Sequence, residues 1–245
     1  MSAQAKLDEL MSHPETIACA GRWVTALDQG VEGTFWRELT RRSAPITCPV
    51  EDEPLCEELN WGRLRQRGQG KMFGLLCASD QQGRLCYLRA YSGQLQGAWL
   101  RAGWAPPLFE PSEVAFDSLE TQTELHLINR LIDEGRGELS ALKRARRATS
   151  RALTVKLISS RLLRRRVEGR LESLSLSALW SSAPLGAGDC CAPKLLCWAA
   201  SLELRPLGLV EFWWGAPQGA HRSGARYAPC QERCAPLLPW LLGER

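Results

Sequence analysis

Histidine is scarce in this chain: His13, His126 and His221 are the only three in 245 residues. Any imidazole in a metal or acid–base site must be one of them. Also missing is a run of 18 uncharged apolar residues, which excludes a membrane-spanning helix. The start, Met1-Ser2-Ala3-Gln4-Ala5-Lys6, has no apolar signal core, so the expected compartment is cytoplasmic. Gly186-x-Gly188 is followed by no Gly-Lys-Ser/Thr, which excludes a phosphate loop and leaves a tight turn. Finally, the stretch from Lys143 to Arg170 contains a single acid, Glu168, among eleven Lys or Arg. The whole chain carries only +4, so the remainder is net acidic.

What is present gives the order of the chain. Ala5–Ser12 and Gly33–Arg42 read as short helices within a mixed segment, residues 1–69. Pro45, Pro49 and Pro54 impose an extended passage, since proline fixes φ and disfavours helix in the residue before it. Leu55–Arg65 returns to helix. Met72–Ala78 and Leu85–Tyr91 are apolar runs of strand length around the polar turn Asp80–Gly83, a β-hairpin within residues 70–115. Trp104–Pro111 leaves it extended.

From about Ser118 the period becomes helical, with Leu127, Ile128, Leu131 and Ile132 on one face. Gly135 and Gly137 place a kink or break there, each costing about 1 kcal/mol against alanine. Helical character then runs proline-free through Ala141–Leu176, so residues 116–180 read as a long basic helical arm or a helical hairpin. Unpaired like charges at i,i+3 and i,i+4 repel, and a polyanion relieves the repulsion by counterion release. Arginine in place of lysine suits phosphate geometry. Lys143, Arg144, Arg146, Arg147, Arg151, Arg164, Arg165 and Arg166 are the candidate RNA-binding residues, ahead of a solvated or partner-facing helix face or an anionic membrane.

Residues 181–245 form a further unit: a glycine-rich entry, a helix over Pro193–Leu202, a strand over Leu207–Trp214, a polar loop and a proline-rich tail. Pro193 suits a first helical turn, and Asp189 is placed to cap it. Five of the ten cysteines and His221 fall within Gly186–Cys234. Cys230 and Cys234 stand one helical turn apart, and Cys190 and Cys191 sit where a helix begins and a thiol pKa is lowered. Cys190, Cys191, His221, Cys230 and Cys234 are therefore candidate ligands for Zn2+, with one of the adjacent pair surplus to a Cys3His set. Reduced buried thiols or a disulfide remain open alternatives. Cys19, Cys48, Cys56, Cys77, Cys86 and Cys197 have no partner spacing and are assigned to packing, as is the Trp213-Trp214 pair.

Several blocks together resemble a known family. They are Gly70-Lys71-Met72-Phe73-Gly74-Leu75, the hairpin end Ala90-Tyr91-Ser92-Gly93, the Arg-rich stretch, Gly186–Leu196, Glu211–Gly215 and Tyr227–Leu238. From about residue 45 onward they look like the long N-terminal region of certain RluA-family RNA pseudouridine synthases. The resemblance implies work on structured RNA, rRNA or tRNA, beside a synthase domain that isomerises uridine with the aspartate of a His-Arg-Leu-Asp motif. None of the three histidines begins that motif, so no catalytic residue is assigned.

Two alternatives stand beside an RNA-binding accessory module. One is a relative of the zinc nucleobase deaminases, which the order of cysteine-helix, strand and Pro-Cys-x3-Cys resembles. Pro193 follows Cys191-Ala192 where those enzymes carry their glutamate; Glu211 could stand in for it, but a strand position gives no reason to expect that. The other is a coiled-coil interaction module seated on Leu127–Leu142, against which Gly135 and Gly137 count. The expected fold class is α+β: a β-hairpin and a C-terminal αβ lobe in one body, with the basic helical arm inserted between them.

Overall fold

The computed structural model describes residues 1–42 and 59–244. The chain is α+β, built on an antiparallel four-stranded sheet in the order β2-β1-β5-β6. The strands are β1 Lys71–Ser79, β2 Leu85–Tyr91, β5 Arg205–Trp214 and β6 Arg226–Tyr227. The expected hairpin is β1–β2, in register from Phe73 opposite Tyr91 to Ser79 opposite Leu85. β1 pairs along its other edge with β5, Gly74 lying opposite Glu211. The hairpin and the C-terminal lobe thus share one sheet.

Successive side chains of a strand point to opposite faces, and both faces here are covered. Phe73, Leu75, Cys77, Val210, Phe212 and Trp214 pack with Trp23 and Trp36 from α2 (Pro14–Gln29) and α3 (Glu32–Arg42). Leu76, Ala78 and Leu209 point the other way, onto Leu195, Leu196 and Ala199 of α8 (Cys191–Ser201). That second core also takes Leu7 and Leu10 of α1 (Ala3–Ser12) and Leu238 and Leu241 of α9 (Leu238–Leu241). Two buried faces explain why β1 reads as a continuous apolar run.

Helix α2 lies in the segment the sequence left mixed. Its signals are conventional: Pro14 in the first turn, His13 Nδ1 accepting from Thr16 N–H, buried Cys19, Trp23 and Leu27 on one face, and Gly30 closing it at φ 74°. The described part of Leu55–Arg65 forms α4 (Trp61–Leu64). Its start and the passage through Pro45, Pro49 and Pro54 lie outside the described residues, as do Cys48 and Cys56.

Of the expected long arm or helical hairpin the chain builds a hairpin, and it ends at Ser159. Helix α5 (Pro111–Asp133) begins earlier than expected, and α6 stops at Ser159 (Leu139–Ser159). Gly135 and Gly137, at φ 64° and 89°, turn the chain between them. α5 and α6 pack side by side, with Thr149 Oγ1 donating to Glu124. After α6 the chain becomes a hairpin, β3 (Leu162–Val167) and β4 (Arg170–Ser175), closed at Glu168 and Gly169 with φ 50° and 79°. A two-residue turn with both φ positive is the preferred hairpin closure. A four-residue helix, α7 (Leu176–Leu179), then leads to the turn before α8. Among the described residues no helix is long and apolar enough to cross a membrane.

Candidate functional site

The turn before α8 is built by glycine. Gly186 and Gly188 both lie at φ 84°, and Asp189 N–H donates to Gly186 O. This delivers Asp189 and Cys190 to the start of α8 pointing to different partners. Asp189 does not cap the helix. Its carboxylate accepts from Arg161 Nε at 3.1 Å and from Nη2 at 2.9 Å on both oxygens. The cap is supplied from the sheet face beneath α8 by Glu211 of β5, whose Oε1 accepts from Ala192 N–H at 2.8 Å.

Cys190 faces the C-terminal segment. There Cys230 and Cys234 lie one turn apart, Cys234 N–H donating to Cys230 O at 3.2 Å. The Sγ atoms of Cys190, Cys230 and Cys234 all lie within 4.8 Å of one another. Cys190 and Cys230 are 3.6 Å apart at sulfur, while Cys190 and Cys234 stand at disulfide distance with Cα atoms 6.5 Å apart. Cys230 is exposed and Cys234 buried. The three thiols form a group able to hold a metal ion, and equally a group in which one pair can oxidise.

Two of the five candidate ligands stand elsewhere. Cys191, one residue on, is rotated about 100° around the helix and points at the sheet, its thiol against Met72 O at 3.5 Å. Burial, with the Glu211 carboxylate adding to it, pushes that thiol well above the usual range. His221 lies flat on Trp213 with ring centres 4.8 Å apart, and meets the edge of Tyr227. The face of Trp213 and the edge of Tyr227 hold this imidazole outside the three-thiol group. Trp213 and Trp214 are both buried, as are the unpaired Cys19, Cys77, Cys86 and Cys197.

Two charged groups are buried beneath α8: Lys194, which the sequence does not single out, and Glu211, which it offers only as a stand-in for the deaminase glutamate. Glu211 is fully enclosed, and burial pushes its carboxyl up to about 7, opposed by the N–H groups of Ala192 and Cys191. Lys194 is buried too, its ammonium donating to Tyr91 O at 2.7 Å and lying 4.4 Å from the Tyr91 ring centre. Burial lowers it to about 8. The one legible signal was a charged residue inside an otherwise apolar run, in Leu209–Trp214 and in Cys191–Ala200.

The candidate RNA-binding residues divide into two sets. Lys143, Arg144, Arg146, Arg147 and Arg151 are exposed on α6. At about 100° per residue they fall within about 160° of its circumference. α6 contains no acid; Glu138 caps its N-terminus and reaches Arg144 at 3.7 Å. Lys143, Arg146, Arg147 and Arg151 make no ion pair among the described residues. The second set is on β3. Arg165 is buried, bonded to Glu172, Trp240 O and Glu244 O, with its guanidinium 4.5 Å from the Trp240 ring centre. Arg166 reaches Ala200 O, Gly169 O and Glu203. Arg164 is half-buried, its N–H directed at Cys197 Sγ. Arg165 and Arg166 are therefore structural groups: alternation along the strand sends them to opposite faces of the hairpin, and each finds backbone and carboxylate partners there.

No family model, curated protein or solved structure matches this chain.

Proposed function

We propose that this chain is an RNA-binding accessory module that grips phosphates with the basic face of α6. The observation that carries the reading is the set Lys143, Arg144, Arg146, Arg147 and Arg151, five exposed cations on one side of a helix without acids. Such a face holds a high density of unneutralised charge, and a phosphate backbone stabilises it through counterion release. The resemblance to the N-terminal region of RluA-type synthases supports structured RNA as the partner and a pseudouridine synthase domain as the neighbour it serves. Catalysis is no part of the reading.

The test is charge reversal of those five residues, followed by RNA affinity as a function of salt. Each phosphate contact contributes roughly 0.7 to 0.9 to the slope of log K against log salt. The slope is expected to fall by up to about 4. Unchanged affinity and slope would remove α6 from the interface.

Reduced, with Cys190 and Cys234 parted from the disulfide distance at which they stand, the thiol group can hold a zinc ion as a structural clamp. In a tetrahedral site with Zn–S bonds of about 2.3 Å, sulfurs lie about 3.8 Å apart, close to the 3.6 Å between Cys190 and Cys230. Zinc here would draw the loop before α8 and the C-terminal segment together, and the group's own thiols supply three ligands. Elemental analysis of protein purified under reducing conditions decides it. Bound zinc is expected to be lost in Cys190→Ser, Cys230→Ser and Cys234→Ser and kept in Cys191→Ala and His221→Ala. Equal zinc in all five variants would rule the clamp out.

A further inference from the structure

We propose that the cavity between α4, the start of β1 and the loop after β2 is a pocket for one nucleotide of single-stranded RNA. In it Trp99 is the stacking surface, Gln69 and Gln94 contact the base edge, and Arg63 and Lys71 contact phosphate. This rests on the RNA reading above but concerns a different part of the molecule.

The cavity measures about 530 Å3, within the range of small-ligand sites. It holds Arg63, Gln69, Lys71, Gln94, Gln96 and Trp99, with backbone from three glycines, and no acid among the described residues. Recognition of an unpaired nucleotide requires an aromatic plane, amides that both donate and accept, and cations for the phosphate. All three are present.

The parts differ in freedom, in a way that suits this role. Gln96 is occupied, accepting from Asn60 N–H and donating to Asn60 O, so it braces the wall. The side chains of Gln69 and Gln94 are exposed and make no hydrogen bond among the described residues. Trp99 is held from behind. Its carbonyl accepts from Tyr91 Oη at 2.9 Å, and its ring packs edge-on against Phe109 at 5.0 Å. A fixed ring loses little entropy on stacking. Burial holds the Lys71 ammonium below its ordinary range, and an anion brought beside it stabilises the charged form.

The pocket also connects to the basic helix. Phe109, which supports Trp99, lies 5.1 Å under the guanidinium of Arg161. Arg161 follows the last residue of α6 by two positions and donates to Leu157 O within that helix. This chain of buried contacts links the pocket to the foot of α6, about 15 Å along the helix from Arg151. A strand held by phosphate contacts on α6 is the natural source of an unpaired nucleotide for the cavity.

The test uses the full chain and nuclear magnetic resonance of the tryptophan indole N–H groups, Trp99 being identified from its absence in Trp99→Leu. Adenosine and uridine 5′-monophosphates are titrated against inorganic phosphate as control. The expected result is a saturable shift of the Trp99 signal with the nucleotides and none with phosphate. Gln94→Ala, at an exposed position, should weaken that response without affecting folding. Trp99→Leu should weaken binding of a short labelled single-stranded RNA about tenfold. No Trp99 response to nucleotides would overturn the proposal, as would a response that phosphate alone reproduces. The five-residue α6 variant should keep the Trp99 response to mononucleotides. Loss of the pocket response and loss of the α6 salt dependence therefore report on separate claims.

Discussion

Arg161 and Asp189 meet as a fork on a fork, three hydrogen bonds between two side chains that are 3% and 16% exposed. The pair joins the foot of α6 to the residue immediately before Cys190, so the helix and the thiol group are fastened to one turn. Removing one partner strands the other charge in a dry site. Arg161→Ala is expected to cost roughly 3 to 5 kcal/mol. The double change with Asp189→Ala should cost less than the two single changes added together. A double-mutant cycle from urea denaturation measures this coupling; additive losses would mean the fork contributes nothing as a pair.

The buried carboxyl of Glu211 sets a pH dependence of stability. Its folded pKa of about 7 stands above the ordinary 4.5, so between those values the folded chain binds the proton that the unfolded chain has released. Its contribution is complete below about 4.5 and is lost as pH rises through 7. Glu211→Gln keeps an oxygen for Ala192 N–H and removes the titration. Stability measured from pH 4.5 to 8 should decline less in that variant, and a curve parallel to the parent would contradict the assignment.

The two classes of arginine predict opposite outcomes for the same substitution. Arg165→Ala leaves the carbonyls of Trp240 and Glu244 and the carboxylate of Glu172 without their donor. It should lower stability by about 2 kcal/mol or more. Arg147→Ala, exposed on α6, should change stability by less than about 0.5 kcal/mol while weakening RNA binding. Thermal melts of both variants separate structural from solvent-exposed cations.

Close packing of α8 on the sheet depends on Gly74. A Cβ there would stand 2.4 Å from Cys191 Cβ, both backbone-fixed positions. Gly74→Ala is expected to cost roughly 1 to 3 kcal/mol by overpacking, read as a lower midpoint in denaturant. An unchanged midpoint would show that α8 can move outward freely.

Parts of this architecture were legible because local pattern and tertiary context agree. The runs Met72–Ala78 and Leu85–Tyr91 around a polar turn specify a hairpin wherever they are placed, and Pro193 marks the first turn of α8. The stretch Arg161–Leu176 misled because leucine and valine positions there fit either period. The deciding signal, Glu168-Gly169 between two six-residue runs, is weaker than the charge density around it. Lys194 escaped notice, and Glu211 stood only as a stand-in for the deaminase glutamate, because their partners lie on other elements, at Tyr91 O and Ala192 N–H.

By itself the sequence determined the mixed α+β class, the central hairpin and the concentration of cations after Lys143. These depend on side-chain period and composition over short windows. Only the tertiary structure decided which cations remain in solvent and which of two adjacent cysteines joins the thiol group. The reason is geometric: one residue of offset turns a side chain by about 100° at a helix start and to the opposite face along a strand. That direction is fixed by surfaces brought together from distant parts of the chain.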